Sequence, residues 1–149
     1  MENTFDEVSE VYAGMNMIDD YEKIGNEILK RYGLKMAFGD HQFMIRFAYR
    51  PMLSDEELEG LHRDMVSEEM PDAEIEAELS VLNPMYDAWV CVCFEEDKPG
   101  NQIIDVHLEH GFEGTNHFDP YFTDEHCLTD EEYDRGIEIV EAVLNAVVE

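Results

Sequence analysis

Apolar residues recur at helical spacing through Phe5, Val8, Val11, Tyr12 and Met15, and again through Ile18, Tyr21, Ile24, Ile28, Leu29 and Tyr32. Residues 14–16 read as a break between two helices, and Gly33 suits the position just past the end of the second. The period then changes to two. Leu34, Met36 and Phe38, a Gly39-Asp40 turn, and Phe43, Ile45, Phe47 and Tyr49 predict an antiparallel hairpin whose outward set carries Lys35, Arg46 and Arg50.

Two further helices are expected across residues 54–82. Ser54 and Glu57 have capping-box spacing, and Leu58, Leu61, Met65 and Val66 form an apolar stripe. Pro71 can open the second helix, Ile75, Leu79 and Leu82 supply its stripe, and Asn83-Pro84 ends it. A second hairpin follows, with Tyr86, Ala88, Val90, Val92 and Phe94 inward on its first strand and Ile104, Val106 and Leu108 inward on the return. Asp87, Trp89, Cys91, Cys93 and Glu95 face outward, opposite Asp105, His107 and Glu109, where the two carboxylates of the return strand are candidate partners for Arg46 and Arg50. Thr129 and Glu132 cap a last helix striped by Tyr133, Ile137, Val140, Leu144 and Val147. The expected fold is a single α+β domain in the order ααββααββα, a four-stranded antiparallel sheet with helices on one face.

Charge changes this picture most. Asp55, Glu56, Glu57, Glu59, Asp64, Glu68, Glu69, Asp72, Glu74, Glu76 and Glu78 lie in one segment whose only arginine or lysine is Arg63. As continuous helix, these roughly 27 residues would span about 40 Å, one negative charge per ~3.7 Å. A DNA strand carries one phosphate per ~3.4 Å. Across all 149 residues, 37 acids against 9 bases give a net charge of -28, which disfavours direct contact with nucleic acid or an anionic membrane and favours a basic partner. With 44% hydrophobic and 11% aromatic residues the chain can still build a core. Residues 1–6 are acidic and no apolar run approaches the ~18 residues of a membrane span, so a cytoplasmic protein is expected.

Residues 111–128 form a long connection that sets Phe118, Tyr121 and Phe122 beside Asp124 and Glu125, candidate aromatic and acidic contacts for the same partner. His107, His110, His117, Asp119, His126 and Cys127 are candidate metal ligands, but they match no HExxH spacing, and His107 and His110 should point to opposite faces of a strand. The cysteines Cys91, Cys93 and Cys127 make no CxxC and are expected as free thiols. There is no phosphate-binding glycine loop and no GxSxG. No catalytic residue, cofactor or metal is assigned.

In small size, acidity and α+β pattern the chain resembles the phage-encoded acidic DNA mimics that inhibit bacterial defence nucleases, the anti-CRISPR and anti-restriction proteins. The resemblance is one of class, with no shared motif. It implies an inhibitor acting in the host bacterium's cytoplasm, whose carboxylates occupy the basic nucleic-acid groove of a nuclease, a CRISPR-Cas effector being favoured. The alternatives are an immunity protein that neutralises a nuclease toxin and a small metalloenzyme built on His and Asp.

Overall fold

Thr4 starts the first helix by accepting the Glu7 N–H at 3.1 Å, and α1 (Phe5–Tyr12) buries Phe5, Val8 and Tyr12. The computed structural model describes residues 4–39, 41–95, 101–113 and 128–149. After α1 come β1 (Asn16–Met17), α2 (Tyr21–Lys30), β2 (Met36–Gly39), β3 (Gln42–Pro51), α3 (Asp55–Ser67), α4 (Asp72–Leu82), β4 (Met85–Glu95), β5 (Asn101–Phe112) and α5 (Asp130–Val147). Gly33 ends α2 as expected: at φ +71 it lets Leu34 N–H reach the Leu29 carbonyl at 3.0 Å while its own N–H reaches Lys30 at 3.1 Å.

The α+β class and the antiparallel sheet agree with the sequence, but the sheet has five strands, not four, in the order β1-β5-β4-β3-β2. The added strand lies in the break expected at residues 14–16: Asn16 pairs with Gln102 and Met17 with Asn101. It gives the outer edge of β5 backbone partners, and Met17 bridges Val148 on its other side. Two residues are too few to show a period of two. The element order is therefore αβαββααββα.

Strand alternation also slips where regular periodicity predicted none. Ile104, expected inward, is 53% exposed, while Ile103 and Val106 are buried. Ile103 N–H donates to the Met15 carbonyl at 2.8 Å and Val106 N–H to the Ser9 hydroxyl at 3.0 Å. Amides three apart in a regular strand point to opposite edges. Both reach the α1–β1 segment here, so β5 loses one step of alternation, as in a β-bulge. In β3, Phe47 and Ala48 are both buried and Tyr49, expected inward, is exposed.

The chain divides into two compact units: Met1–Ala48, Ala88–His110 and Leu128–Glu149 form the first, Tyr49–Asp87 and Gly111–Cys127 the second. In the first, helices cover one face of the sheet. Tyr21 of α2 lies 6.1 Å from Phe43 and 5.7 Å, edge-on, from Phe94; Phe5 of α1 lies 6.0 Å from Phe47 and 4.8 Å from Tyr133 of α5. α5 adds Ile137, Ile139, Val140, Val143, Leu144 and Val147 to this core. In the second unit, Tyr86 is fully buried against Phe112 at 5.2 Å, with the Arg50 guanidinium 4.9 Å from its ring centre. Among the described residues, no helix is long and apolar enough to cross a membrane.

Two features of the first core have measurable consequences. A Cβ on Gly136 would meet Phe47 Cε2 at 2.6 Å, and the Phe47 ring is buried. Gly136→Ala gains at most about 1 kcal/mol of helix propensity and loses roughly 1–3 kcal/mol to overpacking. The variant should unfold at lower urea than the parent; a higher midpoint would contradict this packing. Tyr12 donates to Asn145 Oδ1, and burial followed by the Glu141 carboxylate raises its phenol above 10. A raised folded value stabilises fully below the unfolded pKa and is lost as pH rises through the folded one. Tyr12→Phe should therefore show a smaller loss of stability than the parent between about pH 9 and about pH 11, read by urea unfolding.

Candidate functional site

The acidic segment folds into the expected pair of helices. Ser54 Oγ accepts Glu57 N–H at 3.2 Å and Glu57 Oε1 accepts Ser54 N–H at 3.0 Å, so both halves of the capping box form. α3 ends at Glu68, Glu69 turns the chain with φ +63, and Pro71 takes the N-cap of α4, its carbonyl accepting the Glu74 and Ile75 amides at 3.0 Å. The two ends of the pair are tied together. Met52 N–H donates to the Pro84 carbonyl at 2.8 Å and Leu53 N–H to Asn83 Oδ1 at 2.7 Å.

Asp55, Glu56, Glu57, Glu59 and Asp64 of α3, Glu68 and Glu69 of the turn, and Asp72, Glu74, Glu76 and Glu78 of α4 are all exposed. The structure thus brings these eleven residues onto one helical hairpin. Five of them sit in first turns, where the helix dipole favours them, but neither last turn has a base. Asp55 and Glu59, Asp64 and Glu68, Asp72 and Glu76, and Glu74 and Glu78 repeat at i, i+4, whereas only Glu59 and Arg63 set opposite charges at that spacing. Each like pair costs ~0.2–0.5 kcal/mol, so the four together oppose folding by roughly 1–2 kcal/mol. Apolar cover is thin as well. No residue of α3 is buried, Ile75 alone is buried in α4, and Val66 is 52% exposed. An open cleft of about 570 Å³ lies between Leu58, Glu59 and His62 of α3 and Glu76 and Leu79 of α4.

The other contact candidates, Phe118, Tyr121, Phe122, Asp124 and Glu125, lie outside the described residues, as do His117, Asp119, His126 and Cys127. Arg46 lies over the Trp89 ring at 4.5 Å.

A second constellation stands on the neighbouring strands β4 and β5 of the first unit. His107 Nδ1 is 2.6 Å from Asp105 Oδ2 and its Nε2 is 3.1 Å from Glu109 Oε1. Two carboxylates on two ring nitrogens favour the doubly protonated imidazolium. Burial lowers the His107 pKa, but the Glu109 and Asp105 hydrogen bonds outweigh it and the net shift is upward. Burial, then the Glu109 carboxylate, push the neighbouring Cys91 thiol up to about 12; burial, then Asp105 and Glu109, raise Cys93. Of the candidate histidine ligands, His107 joins this cluster and His110 is exposed. Cys91 and Cys93 were missed as its partners. Their signal was alternation, which sets them on the outward face of β4 beside Asp105, His107 and Glu109 of β5.

No family model, curated protein or solved structure matches the chain.

The crowded carboxylates of α3 and α4 make stability salt-dependent. Raising NaCl from about 0.02 to about 0.3 M at neutral pH should raise Tm by a few degrees. Neutralising Asp72, Glu74, Glu76 and Glu78 should flatten that response; an unchanged response would locate the repulsion elsewhere.

Proposed function

We propose that the protein is an acidic inhibitor that occupies the basic nucleic-acid groove of a bacterial defence nuclease, a CRISPR-Cas effector being favoured, and competes with DNA for it. The observation that carries this reading is the exposure of eleven acidic residues on one helical hairpin, retained against their mutual repulsion. Lysines and arginines that neutralise phosphates can equally neutralise these carboxylates. The capped, tied helices present the acids with little ordering left to do on binding. Long-range attraction between a chain of charge -28 and a cationic groove speeds encounter and weakens with salt. The inhibitor acts in the cytoplasm of the bacterial host and needs no catalytic residue, cofactor or metal for this role.

Tagged protein presented to a panel of CRISPR effectors, restriction enzymes and nuclease toxins should capture one of them and block its binding to DNA. The variant Asp72→Asn, Glu74→Gln, Glu76→Gln, Glu78→Gln should lose at least about tenfold in inhibition at 0.15 M salt. Undiminished inhibition by the folded variant would remove the α4 face from the contact. Capture of a toxin in place of a defence enzyme would make the protein an immunity protein acting through the same surface.

A further inference from the structure

Strands β4 and β5 carry a second kind of chemistry, independent of the acidic hairpin and of its proposed role. Cys91 Sγ, a ring nitrogen of His107 and a carboxylate oxygen of Glu109 lie within 4.8 Å of one another. A thiolate, an imidazole and a carboxylate make a donor set suited to zinc. With metal–ligand bonds of ~2.0–2.3 Å, tetrahedral ligands sit roughly 3.3–3.8 Å apart. His107 Nε2 and Glu109 Oε1 are already at 3.1 Å, and the thiol, within 4.8 Å of both partners, needs to close by at most about 1 Å.

The surroundings of His107 select which nitrogen is offered. Asp105 Oδ2 holds Nδ1 at 2.6 Å, and the Ser9 hydroxyl donates to Asp105 Oδ1 at 3.2 Å. This leaves Nε2 facing Glu109. A carboxylate behind a histidine that ligates through its other nitrogen is the arrangement that orients metal-bound imidazoles and raises their basicity. Cys93, Asp105 and His107 form a competing set within the same 4.8 Å limit. Its nitrogen–oxygen pair, His107 Nδ1 and Asp105 Oδ2 at 2.6 Å, is further from the ligand separation of roughly 3.3–3.8 Å than the 3.1 Å pair of the first set, and the Cys93 thiol is directed at Gln42 Oε1, 3.9 Å away.

We propose that Cys91, His107 through Nε2, and Glu109 bind one zinc ion, with Asp105 and Ser9 as positioning residues for His107. Three protein ligands leave the fourth tetrahedral position to water. The His107 and Glu109 side chains are 37% and 61% exposed, so that position opens to solvent, while Cys91 anchors the ion from the fully buried side. Coordination breaks the Cys91 S–H bond and frees the proton on His107 Nε2; both protons pass to solvent as the two donors take up the metal.

The full chain, stripped with a chelator and dialysed, is titrated with zinc in competition with a chromophoric chelator and, in parallel, with cobalt(II). One equivalent should bind, and cobalt should give a thiolate-to-metal charge-transfer band with the intense visible bands of four-coordination. Cys91→Ser should abolish the charge-transfer band, and Cys93→Ser should leave it unchanged. Asp105→Asn and Ser9→Ala should retain the band and weaken zinc binding, Asp105→Asn by about 10–100-fold. Because Cys91 is a core residue, a readout on the parent chain stands beside the variants: X-ray absorption of the complex with one equivalent of zinc should show one sulfur at ~2.3 Å beside nitrogen and oxygen ligands. The proposal is overturned by absence of the thiolate band, by a band that survives Cys91→Ser, by loss of the band in Cys93→Ser, or by a zinc shell without sulfur. Binding of many equivalents without thiolate ligation would assign the metal to the acidic surface and also overturn it.

Discussion

Mutual repulsion among 37 acids facing only 9 lysines and arginines is the constraint on which the rest of this structure depends. It acts first on the interior. Every buried side chain among the described residues is one of the apolar set, and none is charged. Burying a leucine, valine or phenylalanine is worth ~1.5–3 kcal/mol, whereas an exposed like-charge pair costs a few tenths. A modest core therefore outweighs many such pairs, provided no carboxylate is drawn inside. The first unit meets that condition with Tyr21, Phe43 and Phe94 at one place and Phe5, Phe47 and Tyr133 at another, closed by α5.

The same constraint gives α3 and α4 their character. They carry the densest acids and the least apolar cover. The Ser54–Glu57 box starts the pair, and the Met52–Pro84 and Leu53–Asn83 hydrogen bonds close its base. Ile75 is its buried anchor. A hairpin built this way leaves its carboxylates in water, where a cationic groove can reach them. In the first unit, by contrast, Asp105 and Glu109 are turned onto a histidine and two thiols, and the local chemistry changes from bulk charge to defined donors.

Much of the fold was legible because its signals are local. The capping boxes at Ser54 and Thr129, the glycine after α2 and the helical stripes each act within one or two turns, and the helices appear where they predict. What escaped depends on contacts distant in sequence. β1 is defined by its pairing with residues 101 and 102 of β5, and the slip that exposes Ile104 goes with the hydrogen bonds that β5 makes to Ser9 and Met15. Alternation alone sets Cys91 opposite His107, but two strands paired across a hairpin carry no fixed ligand spacing in the sequence, so the cluster has no motif. The acidic surface could be read from composition alone, since the carboxylates stay exposed.

The most direct test of the central claim is the slope of log affinity against log salt for the captured nuclease. It is measured with the parent and with the variant neutralised at residues 72, 74, 76 and 78. Contact through these carboxylates predicts a steep fall for the parent and a shallower one for the variant. Identical slopes, with both chains folded, would contradict a binding role for the acidic hairpin.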